Sequence, residues 1–427
     1  MEIKDIHTIF LECNGVATDT RNIQANVMFV ALKGERFDAN TFTAEALEKG
    51  ASYVIIDNPN FHIDHRTILV PDSLIALQEL AQYHRGYLGL PIVALTGSNG
   101  KTSTKELIHA VLSQKFNVKA TVGNLNNHIG VPLTLLSFNK DTEIGIVEMG
   151  ANHQKEIAFL CELANPDFGY ITNFGKAHLE GFGGIEGVIK GKGEMYDYLL
   201  KNHKTAFVNL DDPLQATMTA KMKRITFAVA SSQVDIEIGA VSCNPFVAVR
   251  LGNLDIQSHM IGTYNANNIN AAIAIGKHFS VADLQIKQAI EAYFPENNRS
   301  QLLRKGTNEI ILDAYNANPS SMAAALENFV QLEKKDKIAF LGDMFELGSE
   351  SMQEHRSLVE SLKGENEIQF IFIGKDFYAH HSAHPNFTFF EDFEQLKTYL
   401  QQRTFKNHSI LVKGSRGMAL ERILDFL

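Results

Sequence analysis

Hydrophobic residues along this chain occur in short runs, and the pattern of these runs differs between three zones. In the first zone, strand-like pieces occur at residues 28–32, 53–56 and 68–70, and a helix is predicted over 73–84. In the second zone, apolar runs of four or five residues stand beside glycine-rich turns, at residues 92–95, 144–147, 168–171 and 206–210. Runs that are apolar at every position are typical of parallel strands covered on both faces.

The third zone begins after residues 293–298, a polar stretch with a proline that is typical of a linker. Beyond it, strand-like and helical patterns alternate, with strands predicted at residues 309–312, 338–341, 370–373 and 410–412. Such alternation indicates an open, doubly wound sheet, which binds ligands at the carboxyl ends of its strands. We therefore expect three domains, at residues 1–86, 87–296 and 297–427.

Charge and composition narrow the possible functions. The chain has 427 residues, with 39 Lys and Arg against 49 Asp and Glu, for a net charge of −10. This balance gives no basic surface for nucleic acid, and no apolar run approaches the ~18–20 residues of a membrane span. The start lacks a signal-peptide pattern, and three widely spaced cysteines suit neither a disulfide framework nor a metal cluster. We expect a cytoplasmic protein that binds neither nucleic acid nor membrane.

The strongest functional signal is LTGSNGKTST at residues 95–104, between a predicted strand and a helix predicted from 101 to 114. Glycines there let backbone N–H groups turn towards phosphate oxygens, and the helix N-terminus adds its positive dipole end. Lys101 is expected to reach the β- and γ-phosphates and Thr102 to bind Mg²⁺. The general pattern asks for glycine at position 95, where this chain has leucine, so a strand–helix turn without a ligand is the alternative.

Three further residues of the second zone could carry chemistry. Glu148 stands at the end of a buried strand, where a second metal-binding acid belongs, and His178 lies in a glycine-rich loop after another strand. Lys192 falls in the apolar stripe of a predicted helix, where burial would lower its pKa and leave a neutral amine that can act as a base or form a carbamate with carbon dioxide. The alternatives are an ordinary strand-end acid, a surface histidine and a lysine that extends its amine to solvent.

Asparagine-rich segments follow in both later zones. TYNANNIN at 263–270 precedes a helix, and asparagines there can cap the helix or contact an adenine edge. DAYNANP at 313–319 starts at a strand end, with Asn318 predicted as N-cap and Pro319 at the first helical position. Helix capping does not account for Asp313 and Asn316. The segments at 342–346 and 413–417 also follow strands and are expected to face the same crevice.

Together, these motifs resemble those of the Mur ligases, the ATP-dependent amide-forming enzymes of cytoplasmic peptidoglycan synthesis. The resemblance runs nearly end to end, through residues 18–21, 29–35, 96–104, 123–132, 148–151 and 173–180. The short phosphate loop of the family accounts for Leu95. Segments 313–322 and 341–348 resemble the branch that adds a dipeptide, and the strings DYAHTP and DNPR of the branch that adds a diamino acid do not occur.

The resemblance implies a fold and a role for each matching residue. The fold would be α/β, with a small mixed α/β N-terminal domain, a central mononucleotide-binding domain of P-loop type and a C-terminal Rossmann-like doubly wound domain. ATP would be bound by Thr96, Gly97, Ser98, Asn99, Gly100, Lys101, Thr102, Ser103, Asn265, Asn268, Arg299 and Asp313. The catalytic groups would be Lys101, Glu148, His178 and Lys192. Two Mg²⁺ ions would be bound by Thr102, Glu148, His178 and Lys192, the last as a carbamate. The UDP-linked substrate would contact Thr20, Arg21, Asn40, Asn126 and Asn127, and the dipeptide would lie near Asn316 and Asn318.

The implied reaction joins D-alanyl-D-alanine to UDP-N-acetylmuramoyl-tripeptide through an acyl phosphate, in a monomer. Other Mur-type ligases, such as a diamino-acid-adding enzyme or a folylpolyglutamate synthase, are alternatives, as is a nucleotide-binding regulator that kept the fold without the activity. Two segments depart from the family pattern. Residues 37–40 read FDAN where the family shows D-G-H, and residues 312–314 read LDA where it often shows two consecutive acids.

Overall fold

The computed structural model describes residues 1–334 and 336–427, which form three α/β domains in chain order. Each domain has its own predominantly parallel sheet, and the two larger sheets have helices interleaved with their strands. The predicted α/β class and the three-domain architecture are confirmed.

The N-terminal domain is a four-stranded parallel sheet of order β1-β2-β5-β6 with a small β3–β4 hairpin. Its elements are α1 (Ile3–Phe10), β1 (Val16–Ala17), β2 (Val27–Val30), β3 (Lys33–Gly34), β4 (Phe37–Asp38), α2 (Thr43–Glu48), β5 (Ala51–Ile56), β6 (Thr67–Leu69) and α3 (Ser73–Leu88), with 3₁₀ turns at Thr20–Asn22, Ala39–Phe42 and Pro59–Phe61. The Asp72 carboxylate caps α3 by accepting hydrogen bonds from the N–H groups of Leu74 and Ile75, and Gly89 ends the helix in the left-handed region. The helix therefore runs past the boundary predicted at residue 86.

The middle domain is a seven-stranded parallel sheet of order β13-β12-β11-β10-β7-β9-β8, followed by an antiparallel sheet β14-β15-β16. Its elements are β7 (Ile92–Thr96), α4 (Lys101–Leu112), β8 (Val118–Ala120), α5 (Gly130–Leu136), β9 (Ile144–Glu148), α6 (Glu156–Ala164), β10 (Phe168–Ile171), α7 (Leu179–Phe182), α8 (Ile185–Lys201), β11 (Thr205–Asn209), α9 (Pro213–Met218), β12 (Arg224–Val229), β13 (Ile236–Ile238), β14 (Ala240–Cys243), β15 (Phe246–Leu251), β16 (Leu254–Ile261), α10 (Ala266–His278) and α11 (Asp283–Glu291), with a 3₁₀ turn at Thr263–Asn265. Strands β7 and β9 are buried at every position because α4 and α5 cover opposite faces of the sheet, which explains their continuous apolar runs.

The C-terminal domain is a six-stranded sheet of order β17-β18-β22-β19-β20-β21, parallel except for the antiparallel edge strand β17. Its elements are β17 (Gln301–Lys305), β18 (Asn308–Asp313), α12 (Pro319–Gln331), β19 (Lys337–Gly342), α13 (Ser351–Ser361), β20 (Ile368–Ile373), α14 (Lys375–Tyr378), β21 (Phe387–Phe390), α15 (Phe393–Gln401) and β22 (Ser409–Lys413), with 3₁₀ turns at Gly348–Glu350, Arg416–Met418 and Leu420–Phe426. The four strands predicted from the sequence are all present, each two residues longer than predicted.

Contacts between domains bring the strand ends together. Helix α3 of the N-terminal domain packs against α5 and α6 of the middle domain. The linker is fixed at its start, where the Tyr293 hydroxyl donates a hydrogen bond to Glu106 Oε2 at 2.7 Å. The C-terminal domain then faces the carboxyl ends of β7, β9 and β10. Of the helices in the described part of the chain, none has the length and apolar composition needed to cross a bilayer.

Candidate functional site

One cavity of about 870 Å³ lies where the strand ends of the middle and C-terminal domains face each other. Most of the residues predicted for the site line it, although they come from distant parts of the chain. These are Ser98, Asn99, Gly100, Lys101, Thr102, Ser103, Asn126, Asn127, Glu148, His178, Asn265, Asn268, Arg299, Asp313, Asn316 and Asn318. The remaining predicted residues lie behind the wall of the cavity or in the N-terminal domain.

The phosphate loop connects β7 to α4, and its two glycines are required by the fold. Gly97 has φ +145°, and a Cβ there would lie 2.0 Å from Thr172 Oγ1. Gly100 has φ +78°, and a Cβ there would lie 2.6 Å from Asn268 Oδ1. Leu95 is fully buried within β7, so position 95 belongs to the strand and needs no glycine. The loop is therefore a shortened phosphate loop whose amides open onto the cavity at the N-terminus of α4.

Lys101 extends beneath this loop. Its Nζ donates hydrogen bonds to the carbonyl oxygens of Gly97, at 2.7 Å, and Ser98, at 3.2 Å. Loss of solvent around the ammonium lowers the pKa of Lys101, an effect that the nearby Glu148 carboxylate opposes. A cation in this position can move a short distance to contact a phosphate bound by the loop.

Glu148, at the end of β9, has the donor chemistry of a magnesium site. Its Oε1 accepts hydrogen bonds from Asn126 Nδ2, at 2.8 Å, and from Thr102 Oγ1, at 3.3 Å. Its Oε2 is buried and has no hydrogen-bond partner among the described residues. No three His, Cys, Asp or Glu side chains of the described residues cluster as a metal cage, but Mg²⁺ commonly uses one or two carboxylates plus phosphates and water. Thr102 and Glu148 therefore fit Mg²⁺.

Lys192 lies on α8 behind the cavity wall and is 1% exposed. Its Nζ donates a hydrogen bond to the Ala151 carbonyl at 3.0 Å and lies 5.0 Å from the centroid of the Phe182 ring. Burial lowers the pKa of Lys192 well below its usual value, and the charge of Lys101 acts in the same direction. The alternative that Lys192 extends its amine to solvent is therefore wrong. A neutral buried amine has the reactivity that carbamate formation needs. Carbamylation itself stays a prediction.

His178 lies in the loop between β10 and α7, half-buried at the edge of the cavity. Its Nδ1 is hydrogen-bonded to Glu346 Oε2, which comes from the C-terminal domain. This hydrogen bond lowers the pKa of Glu346. Glu346 was not among the predicted site residues, although its segment was expected to face the crevice.

Asn265 and Asn268 lie at the start of α10, next to the phosphate-loop helix. Asn268 Nδ2 donates to Asn265 Oδ1 at 2.8 Å, and Asn268 Oδ1 accepts from Thr104 Oγ1 at 2.9 Å. Neither side chain caps α10, because Asn265 Nδ2 instead donates to the Ile261 carbonyl at 2.8 Å. The two asparagines join α10 to α4 at the cavity edge, and their contact with adenine stays a prediction.

The C-terminal domain contributes a buried ion pair at the ends of β18 and β22. Lys413 Nζ lies 2.6 Å from Asp313 Oδ2 and also donates to the Asn316 carbonyl at 3.3 Å. Asp313 Oδ1 accepts from the N–H of Ser300 at 3.0 Å. Lys413 was not predicted as a site residue, although its segment, 413–417, was expected to face the crevice. The signal was available, because a lysine that ends an otherwise apolar strand needs a carboxylate partner.

Two more contacts connect the C-terminal domain with the cavity. The Arg299 guanidinium lies 3.5 Å from the centroid of the Tyr315 ring, an aromatic residue that sequence reasoning did not select. Asn318 caps α12 as predicted, with Oδ1 accepting from the N–H of Ser321 at 2.9 Å. Its Nδ2 donates to Asn99 Oδ1 of the phosphate loop at 2.7 Å. Asn318 thus holds the C-terminal domain directly against the phosphate loop.

The residues predicted to contact the UDP-linked substrate divide into two groups. Asn126 and Asn127 line the cavity, whereas Thr20 and Arg21 lie in a 3₁₀ turn of the N-terminal domain, with the Arg21 guanidinium exposed and paired to Asp19. Asn40 is fully buried. Its amide donates to Asp38 and Asp57 and accepts from the N–H of Asp57, so both of its donors and one lone pair of its oxygen are used. These bonds give Asn40 a structural role, and its contact with the UDP-linked substrate stays a prediction.

Comparison with known proteins gives consistent matches along the chain. The family model for the Mur ligase middle domain matches residues 95–276, and the Mur ligase, glutamate ligase domain matches residues 298–416. The chain is 35% identical to UDP-N-acetylmuramoyl-tripeptide–D-alanyl-D-alanine ligase of Bacillus subtilis, over 97% of this chain and 93% of that protein. MurF from Acinetobacter baumannii superposes with a TM-score of 0.86 at 29% identity, covering 99% of this chain and 97% of the other. MurF ligase from Thermotoga maritima in complex with ADP superposes with a TM-score of 0.83 at 27% identity, covering 98% and 97%.

Proposed function

The chain belongs to the Mur ligase family and is an ATP-dependent ligase of peptidoglycan synthesis, and we propose that it joins D-alanyl-D-alanine to UDP-N-acetylmuramoyl-tripeptide. The products are UDP-N-acetylmuramoyl-pentapeptide, ADP and inorganic phosphate. The proposal places the reaction in the cytoplasm and in a single copy of the chain, with small molecules as the substrates.

The observation that carries the proposal is the division of the cavity between two domains. The middle domain supplies the phosphate loop and Glu148, and the C-terminal domain supplies Arg299, Asn316 and the Asp313–Lys413 pair. A ligase that uses ATP to activate an acid needs its nucleotide, its acid and its amine within one cavity. A nucleotide-binding regulator would need only the nucleotide-binding surface of the middle domain.

The first chemical step must overcome repulsion between two anions. The tripeptide carboxylate attacks the γ-phosphorus of ATP, and ADP leaves with the electrons of the broken P–O bond to give an acyl phosphate. Loop amides, the N-terminus of α4 and the Lys101 ammonium stabilise the negative charge of this transition state. Mg²⁺, when bound, would neutralise charge on the phosphates. We assign Thr102 and Glu148 Oε2, which has no partner in the described part of the chain, to hold it.

A second magnesium site would draw on His178 and on Lys192 as its carbamate. Carbamate formation replaces a buried neutral amine with a carboxylate-like anion that needs a cation. Lys192 has a single hydrogen-bond partner, Ala151, among the described residues, and Ala151 itself lines the cavity. The carbamate would thus form next to the cavity wall. Bicarbonate dependence of activity, and rescue of Lys192→Ala by a short carboxylate, test this assignment.

In the second step the amine of D-alanyl-D-alanine attacks the acyl carbon. The tetrahedral intermediate then collapses to the amide and releases phosphate. Water would hydrolyse the acyl phosphate, so the two domains must exclude it until the amine arrives. Contacts such as Asn318–Asn99 hold the C-terminal domain over the phosphate loop, and we place the dipeptide beside Asn316 and Asn318 on that side.

The test is phosphate release from ATP and Mg²⁺ with UDP-N-acetylmuramoyl-tripeptide, in the presence and absence of D-alanyl-D-alanine. We expect release that requires both partners, with a UDP-pentapeptide identified by mass. Turnover with a free diamino acid and a UDP-dipeptide would instead assign the chain to another branch of the family. ATP binding without turnover in either pair would favour the regulator.

A further inference from the structure

The loop that carries His178 is held both from its own domain and from the C-terminal domain. This loop, residues 173–182, belongs to the middle domain, but its contacts at three points come from the C-terminal domain. The N–H of Lys176 donates to Ser320 Oγ at 2.8 Å, Lys176 Nζ pairs with Glu354, and the N–H of Glu180 donates to the Glu346 carbonyl at 3.1 Å. The position of this loop is therefore set in part by where the C-terminal domain lies.

His178 and Glu346 meet in an unusual backbone conformation. His178 has φ +53° and Glu346 has φ +62°, so both are non-glycine residues in the left-handed region. Side chains rarely adopt this region, and such residues persist where surrounding contacts fix them. Gly348, two residues after Glu346, also has positive φ and packs against the Glu180 side chain. The backbone on both sides of the interface is thus shaped so that the imidazole and the carboxylate face each other.

The hydrogen bond between them determines which imidazole nitrogen is free. A carboxylate only accepts hydrogen bonds, so Nδ1 of His178 carries the proton that is donated to Glu346 Oε2. In the neutral imidazole, Nε2 then has the lone pair. Among the residues that the structure describes, none hydrogen-bonds to Nε2, and His178 lines the cavity. A histidine that binds a metal through one nitrogen commonly donates its other N–H to a carboxylate in this way.

We propose that Glu346 is a positioning residue that reaches across from the C-terminal domain and holds His178 in the tautomer whose Nε2 lone pair serves the cavity. The proposal rests on the assignment of His178 to the second magnesium site. Because the carboxylate and the imidazole belong to different domains, the site is complete only when the C-terminal domain is docked. Docking of the C-terminal domain, on which we place the dipeptide, thereby orients His178 on the side of the cavity where the phosphates bind.

The alternative is that Glu346 is only one of several ion pairs that hold the domains together. Glu354 offers a matched control, because it pairs with Lys176 on the same loop, comes from the same domain and has no contact with His178. Glu346→Ala and Glu354→Ala remove the same charge from the same interface. A docking role predicts the same effect for both variants, whereas a positioning role separates them.

The direct test is the tautomer of His178 in the nucleotide-free full chain. Protein labelled with ¹⁵N-histidine is examined at pH 9, and the His178 signals are identified with His178→Gln. We expect the Nδ1–H form in the wild type and in Glu354→Ala, and a majority of the Nε2–H form in Glu346→Ala, since that form predominates in free imidazole side chains. An unchanged tautomer in Glu346→Ala would overturn the proposal, whatever the substrates of the enzyme are.

The second readout is the Mg²⁺ concentration that gives half-maximal phosphate release. We expect Glu346→Ala to raise this concentration about 10-fold or more, since loss of such a carboxylate costs 10–100-fold in metal affinity or activity. Glu346→Gln, whose amide oxygen can still accept from Nδ1–H, should recover part of the loss, and Glu354→Ala should leave the Mg²⁺ dependence unchanged. Equal shifts in the two alanine variants would show that Glu346 acts only through docking.

Discussion

Gly97→Ala gives the sharpest test of the phosphate loop, because the structure specifies what the added methyl group would meet. The new Cβ would lie 2.0 Å from Thr172 Oγ1 and 3.0 Å from the Thr172 backbone nitrogen, at φ +145°. The hydroxyl of Thr172 donates to the Asn99 carbonyl at 2.6 Å, and its N–H donates to the Thr96 carbonyl at 2.9 Å. Neither atom can move away without breaking a hydrogen bond that shapes the loop or the sheet.

The expected cost follows from three contributions. A side chain in this region of φ costs about 2 kcal/mol. Rotation of the Thr172 hydroxyl away from the methyl group loses a hydrogen bond that contributes about 1 kcal/mol. Overpacking against the Thr172 backbone, directly after β10, adds roughly 1 kcal/mol or more. The total of about 4 kcal/mol is divided between the folding free energy and nucleotide affinity, because the loop can escape the strain by leaving its binding conformation.

The assays are therefore ADP binding by calorimetry and urea unfolding of the full chain. Gly183→Ala is the matched control, because Gly183 has φ +75° in the same domain but no neighbouring atom within 4 Å of its added Cβ. We expect this control to cost about 1 kcal/mol of folding free energy and to leave ADP affinity unchanged. Gly97→Ala with wild-type ADP affinity and wild-type urea unfolding would refute the reasoning. In the double variant with Thr172→Ala, the costs should sum to less than those of the single variants.

Three further predictions follow from buried groups. Lys192→Met should abolish ligation, measured as phosphate release, because the carbamate can no longer form, and retained turnover would contradict this. The thermal unfolding temperature should not fall, because burial already lowers the pKa of the amine that the methionine replaces. Lys413→Met should cost about 3 kcal/mol in urea unfolding, because the Asp313 carboxylate loses its buried partner, and a cost below about 1 kcal/mol would show that water replaces the ammonium. Burial and the charge of His84 lower the pKa of His7 to about 4, and burial lowers that of His84, so folding favours both neutral rings. Their contribution to stability is complete above about pH 6.5 and is lost as the pH falls through 4, and His7→Gln should flatten the fall in unfolding free energy between these values.

The sequence predicted the central strands of both larger sheets because each is buried on both faces. Residues 92–95, 144–147 and 168–171 are apolar throughout, and the corresponding strands β7, β9 and β10 lie in the interior of the seven-stranded sheet. The antiparallel sheet β14–β16 was not predicted. Buried and exposed positions alternate along β15, and such strands show a weaker signal than a continuous apolar run. The edge strands β17 and β21 were missed because their neighbours cover them on one side only.

For the candidate site, the sequence identified residues whose chemistry follows from local context. The phosphate loop, Glu148 and Lys192 each stand at a strand end or in a helix stripe that can be found within a few positions. The structural role of Asn40 could not be found in this way. Its partner Asp57 lies 17 residues away, and only the parallel pairing of β2 with β5 brings the two side chains together.

Glu346 was missed because its partner lies in another domain, and Lys413 because its partner lies 100 positions away in the chain. Glu346 is 168 positions from His178, and its residue type alone does not distinguish it from Glu350 or Glu354 in the same segment. A physical signal was nevertheless present, because Glu346 follows a buried strand in a segment that was expected to face the crevice. Strand-end acids of the C-terminal domain must either face solvent or pair with cations and donors, either of their own domain or of the middle domain. Matching such acids with the imidazoles and lysines of the strand-end segments would have proposed Glu346, whose segment follows β19, and Lys413, the last residue of β22, since the carboxyl ends of both strands face the same cavity.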